Sequence, residues 1–217
     1  MNVTQLDPLS LTILLASLAL IPLLLMVTTC FLKLAVVLNL VRNAMGVQQV
    51  PPNMVINGIC IALTLFIMAP VFHETQEIVV DLDLSDVTIN SALDVIGTAS
   101  QPIQNFMHKH TSDDILALFQ ASAKSLWTKE VSDNLGEDNM LILIPSFVIS
   151  ELQAAFEIAF LIFLPFIVID LIVSNVLLAL GMQMVSPMTV SLPLKILLFV
   201  LVGGWEKLLH ALVLSYM

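Results

Sequence analysis

Long apolar runs, punctuated by prolines and divided by one acidic region, set the pattern of this chain. Leu9 to Leu40 is apolar, interrupted chiefly by Pro22 and Lys33. A membrane span needs about 20 such residues, so this run suffices even with a kink at Pro22. It ends at Val41-Arg42-Asn43, and the polar connector GVQQVPPN (Gly46 to Asn53) follows, where two consecutive prolines predict extended backbone. Met54 to Phe72 is a second run, with a stop predicted near Pro70. His73 to Asn139 then reads as an acidic, moderately amphipathic insert. Within it, Asp113 to Trp127 is predicted to be helical. Acids open it, and Ile115, Leu116, Phe119, Ala123 and Leu126 recur at three- and four-residue intervals. A third run starts at Met140, is predicted to divide at Pro145 and Pro165, and ends near Leu180, before Gly181. The fourth covers Leu192 to Val202, with the tail LLHALVLSYM behind Gly203-Gly204-Trp205. This pattern predicts an all-α chain in three parts: 1–72, an insert over 73–139, and 140–217.

Composition sharpens the class. The chain has 217 residues, 59% hydrophobic and 11% charged, with a mean hydropathy of +1.01. These values place it among membrane proteins. Its net charge of −10 is concentrated in the insert between Glu74 and Asp138. No basic surface exists to neutralise phosphates, which argues against nucleic acid as a partner. Arg42, Lys195 and Lys207 flank the apolar runs, so the positive-inside rule puts the insert outside the cytoplasm. Met1 to Ser10 carries Asp7 and no Lys or Arg, unlike the positive start of a cleaved signal. Cys30 and Cys60 lie inside apolar runs and read as small buried hydrophobes rather than a disulfide.

No catalytic constellation emerges. His108 and His110 are two apart, off a common helix face, and read as a solvated pair rather than a metal site. No phosphate loop and no nucleophile-elbow spacing is present. No cofactor is expected. The charges embedded in apolar sequence say more: Lys33, Glu151, Glu157, Asp170 and Lys195. Three lipid-facing acids would each cost roughly 2.5–3.5 kcal/mol, so these should face protein or water. They suit either a proton relay or ion pairs that knit neighbouring copies. No chain of titratable groups runs the length of a segment, which favours pairing. Glu151 and Glu157 point about 120° apart on a helix and should meet different neighbours. Gly181-Met182-Gln183-Met184-Val185-Ser186-Pro187-Met188 forms a second signal. Its methionines are either core fillers or the tip of a turn lifted off two helices, where an adaptable thioether can yield and repack.

RNAMGVQQVPPN (Arg42 to Asn53), FEIAFLIFLPFIVIDLIVSNVLLALGM (Phe156 to Met182) and MVSPMTVSLPLKILLFVLVGGW (Met184 to Trp205) resemble the SctR/FliP family. These are core export-gate subunits of type III secretion systems, and GVQQVPPN and VSPMT are similar to its virulence-injectisome branch. The resemblance implies helical hairpins in the bacterial inner membrane, five copies closing with SctS-like and SctT-like subunits into a pseudo-helical ring. It implies that the ring projects to the periplasmic side and conducts unfolded proteins, and that Met182, Gln183 and Met184 form a gasket in the pore. Two positions depart from the family's usual pattern: Gln183 interrupts the methionines, and Gly203 stands where an Asp commonly precedes the Gly-Trp pair. The alternative from the residues alone is a proton- or cation-coupled secondary transporter, which the buried acids would serve.

Overall fold

The computed structural model describes residues 8–47, 50–81, 97–128 and 139–217. The readings placed on Met1 to Asp7, and on much of the insert including Asp83, Asp86 and Asp94, lie outside these residues. Every regular element among them is helical: α1 Pro8–Thr28, α2 Phe31–Ala44, α3 Asn53–Asp81, α4 Gln101–Lys109, α5 Asp113–Leu126, α6 Met140–Ala179, α7 Pro187–Leu201 and α8 Gly204–Leu214.

The 40-residue α6 is the spine, with α2 packed most extensively along it and α1, α4, α5 and α7 touching it elsewhere. Its buried positions Leu143, Phe147, Ser150, Glu151, Ala155 and Ala159 recur at helical spacing and make a narrow inward stripe. Facing them, α2 buries Leu34, Val37, Leu38 and Val41, while α3 adds Ile56, Cys60 and Met68. Both cysteines are buried free thiols. Outside that stripe the helix stays apolar: Phe156, Phe160, Leu161, Val168, Leu171 and Ile172 are exposed. A helix apolar all round belongs in lipid or inside an assembly. Two helices, α3 and α6, are long and apolar enough to cross a membrane, or up to four spans if the bent pairs α1–α2 and α7–α8 each count as one.

The prolines do not act as the sequence suggested. Pro22, Pro70, Pro145, Pro165 and Pro193 all sit inside helices. The predicted stop near Pro70 and the division at Pro145 and Pro165 are therefore wrong, and α3 carries on past residue 73 into the acidic region. A proline inside a helix in water costs about 3 kcal/mol. In apolar surroundings the helix is the one local way to satisfy the remaining backbone groups, so it persists. The chain bends instead at small polar and glycine positions. Between the last part of α1 and α2 the axis turns by 69°, where Thr28 and Thr29 hydroxyls donate back to the Leu24 and Leu25 carbonyls at 2.8 and 2.6 Å. Between α7 and α8 it turns by 60° at Gly203, which adopts φ +65°. That left-handed conformation suits Gly, and Asp or Asn better than most others, so the position is set by the bend itself.

The insert helix α5 matches its predicted limits, opening with Asp113 and Asp114 after Ser112. Ile115, Leu116 and Phe119 are half-buried and Ala123 is buried. Leu126, read as part of that face, is instead 81% exposed, because the helix ends there and turns away at Trp127.

Candidate functional site

Two charge clusters and one loop organise the apolar helices. In the first cluster, α6 presents Glu151 inward at 2% exposure and α2 presents Lys33 at 4%. Lys33 Nζ donates to Glu151 Oε1 at 3.2 Å. The other carboxylate oxygen accepts the hydroxyl proton of Tyr216. The ammonium also sits 3.9 Å from the centroid of the Tyr216 ring, a desolvated cation–π contact. One oxygen of the acid and the face of the phenol are thus used on the lysine, and the acid's other oxygen on the phenol hydroxyl. Phe106 stacks on Tyr216 at 5.9 Å and His110 meets it edge-on at 5.0 Å, so α4 of the insert is tied to the same cluster. Lys109 Nζ reaches the Met217 carbonyl oxygen at 3.4 Å. His110 is not the solvated residue the sequence suggested. Burial first, then the positive Lys33 and Lys109, push its imidazole down to about 4.

The second cluster lies further along α6. Lys195 of α7, 4% exposed, donates to Asp170 Oδ2 at 2.6 Å and to the Ala44 carbonyl at 3.3 Å. Ser191 Oγ donates to Asp170 Oδ1 at 2.6 Å. The lysine therefore bridges α6, α7 and the end of α2. Nearby, Arg42 donates to Asn53 Oδ1 at 2.6 Å, to the Pro51 carbonyl at 3.2 Å and to Asn39 Oδ1 at 3.1 Å. This guanidinium folds the proline connector back on α2 and fixes the start of α3.

The methionine loop joins α6 to α7. Gly181 takes φ +73°. The Met182 N–H reaches the Leu177 carbonyl at 2.9 Å and the Gly181 N–H the Leu178 carbonyl at 3.0 Å. This is a Schellman ending, which closes α6 and turns the chain outward. Pro187 at the first position of α7 starts the return helix. Between these stops Met182 is 44% exposed and Met184 fully exposed; Gln183 is exposed beside them. The methionines are not core fillers in this subunit.

The FliP family profile matches residues 14–212. The harpin secretion protein HrcR of Erwinia amylovora is 54% identical over the whole of both chains. The Yop proteins translocation protein R of Yersinia pestis is 49% identical, covering 97% of each, and the virulence protein YscR of Salmonella typhimurium is 42% identical over the same shares. The chain belongs to the FliP family.

Against that family membership, the residues singled out by sequence separate into three groups. Lys33 with Glu151, and Asp170 with Lys195, form ion pairs inside one subunit. All four therefore have partners within the same chain. Sequence could not show this, because Lys33 and Glu151 stand 118 positions apart and meet only through the packing of α2 on α6. Glu157 differs. It is exposed at the rim of a polar cavity of about 360 Å³ that Lys109, His110 and Gln153 also line. Met182, Gln183 and Met184 stand together on the loop. Residues the sequence reading missed are Tyr216, Ser191 and Arg42's partner Asn53. Tyr216 carried one signal: it is the sole tyrosine in the sequence, placed within an apolar tail. No group of three or more metal-ligating side chains occurs among the described residues.

Proposed function

We propose that this FliP family chain is a structural subunit of a virulence-type III secretion export gate. It conducts unfolded proteins across the bacterial inner membrane and performs no chemistry on them. In this reading five copies join SctS-like and SctT-like subunits in a closed ring that projects to the periplasmic side, with the insert Glu74 to Asp138 on its exterior. The two ion pairs that close within the chain give the subunit its shape. Glu157, left unburied amid exposed Phe156, Phe160 and Leu161, is the carboxylate available to a neighbouring copy.

The observation that carries the reading is the loop 181–186. Two helices pinned by Lys195 and Asp170 hold up a turn whose methionines touch little of their own subunit. Exposed thioethers without partners have reason to be there if copies around an axis gather them. A narrow apolar ring excludes water and ions by dewetting. Methionine rearranges at small cost, so an arriving polypeptide displaces the ring and the ring closes around it. Gln183 would wet such a ring and is expected to point back toward the protein wall.

The test is ion leakage through fully assembled complexes in sealed membranes. Met182→Ala with Met184→Ala should pass small ions while assembling normally, and Gln183→Met should stay tight. Membranes as tight with the double variant as with the wild type would refute the gasket. A purified particle of one or two copies would favour the transporter alternative.

A further inference from the structure

The 60° turn between α7 and α8 opens a groove against α6, about 660 Å³ in volume. Its walls include Ile162 and Phe166 of α6, Leu198 and Phe199 of α7, and Leu208 and Ala211 of α8. Aromatic rings meet at the walls: Phe199 packs against Phe166 at 6.4 Å and edge-on to Trp205 at 5.3 Å. Gly204 is what lets them meet, since a Cβ there would fall 2.5 Å from the Phe199 ring. Two polar side chains lie on the lining, Lys207 and Ser215. Ser215 is satisfied by donating to the Leu212 carbonyl at 2.8 Å. Lys207 is exposed and has no carboxylate partner among the described residues. On α8 the lining positions 207, 208, 211, 212 and 215 share one face, which leaves Glu206 and His210 beside the groove rather than in it.

We propose that this groove binds an anionic phospholipid, one acyl chain lying along the apolar walls and the phosphate meeting Lys207. The apolar walls give water few of the two to four polar partners it needs. A helix about 10 Å across would consume 660 Å³ in about five residues of its length, so the groove fits a flexible chain better than a helix. The lysine stem runs along apolar wall while its ammonium stays at the rim, where a lipid phosphate sits. A lone positive charge at the mouth of an apolar slot discriminates by headgroup charge, which a neutral lipid cannot answer. This site is independent of the gasket, and its failure would leave the export-gate reading standing.

The experiment is native mass spectrometry of the assembled complex, reconstituted in vesicles of phosphatidylethanolamine and phosphatidylglycerol and then released. The wild type should retain phosphatidylglycerol in excess of its share of the vesicle. Lys207→Gln should lower that preference about fivefold without changing subunit stoichiometry. Ala211→Phe, which fills the slot, should remove bound lipid of both kinds. Phosphatidylglycerol retained equally by all three proteins, or by none, would overturn the proposal. So would a cysteine at position 211 that cross-links to another subunit in the assembled wild-type background, because protein would then occupy the groove.

Discussion

Replacing Lys33 by Met should be among the most damaging single changes in this protein, and pairing it with a second change should undo most of the harm. Lys33 and Glu151 are 4% and 2% exposed, joined at 3.2 Å. Removing the lysine leaves a buried carboxylate facing apolar side chains and one phenol. Stranding one member of a buried pair costs about 3–5 kcal/mol, whereas replacing both by apolar groups of similar volume is often near neutral. Lys33→Met and Glu151→Leu alone should each sharply reduce recovery of assembled complex, and Lys33→Met with Glu151→Leu should recover most of it. Tyr216→Phe deletes a hydrogen bond to a charged acceptor, worth about 1.5–3 kcal/mol, and keeps the ring under the ammonium. It should fall between wild type and Lys33→Met. In the Glu151→Leu background Tyr216→Phe should do little further harm, since the acceptor is already gone. The assay is the yield of detergent-extracted complex at matched expression, with melting of that complex as a second measure. A double variant as poor as its worse parent would refute the reasoning, because the charges would then be needed for more than satisfying each other.

Asp170→Ala should reduce recovery less than Lys33→Met, because the Asp170 side chain is 44% exposed and water can answer part of what it leaves; recovery as low as that of Lys33→Met would contradict this. Gly204→Ala should destabilise the α7–α8 corner by collision with Phe199, and Phe199→Leu should relieve it, as read by proteolysis of the complex. His110, held down near 4 in the fold, binds fewer protons there than in the unfolded chain. Its contribution is therefore complete above about pH 6.5 and lost as pH falls from there toward 4; His110→Phe should flatten the complex's melting profile across that window. Glu157→Gln should leave the subunit folded yet weaken ring recovery, and equal recovery at low salt would rule out an ionic contact between copies.

Much of the chain's order was legible in its sequence, and the failures have a common cause. The Asp113 helix, the buried cysteines, and the Gly181 and Pro187 stops around the methionines follow from local rules of periodicity, burial and capping. The rules that failed were calibrated in water. Pro70, Pro145 and Pro165 were read as breaks because a helix in water can afford to end there, whereas apolar surroundings offer the freed backbone no other partner. The partners within the chain were out of reach for a different reason. Glu151 and Asp170 were recognisable as acids that must be answered, but the answer depends on how α2 and α7 lie against α6. Tyr216 carried only its singularity as a signal, because a lone phenol in an apolar tail looks like core until a carboxylate is found beside it. His110 was misplaced because Tyr216, at the far end of the chain, packs against it beside the local Phe106.

The two ion pairs penalise wrong registers among helices that are otherwise apolar. Apolar helices in an apolar setting gain little from choosing one register over another, since lipid competes for every contact. A buried pair is different in kind: sliding α2 along α6 by one turn would separate Lys33 from Glu151 and leave two uncompensated charges. Lys195 does the same for α7, fixing it against Asp170 and the Ala44 carbonyl together. Removing both partners of a pair would lift that penalty without stranding a charge. From Asp170 onward toward the loop, no such pin follows. Val173 and Leu177 are the last buried residues of α6, and beyond them the methionine turn is held at its base and free at its tip. The proposed gate would need this division: its frame would hold one geometry while cargo passes, and its closing element would take many geometries of nearly equal energy.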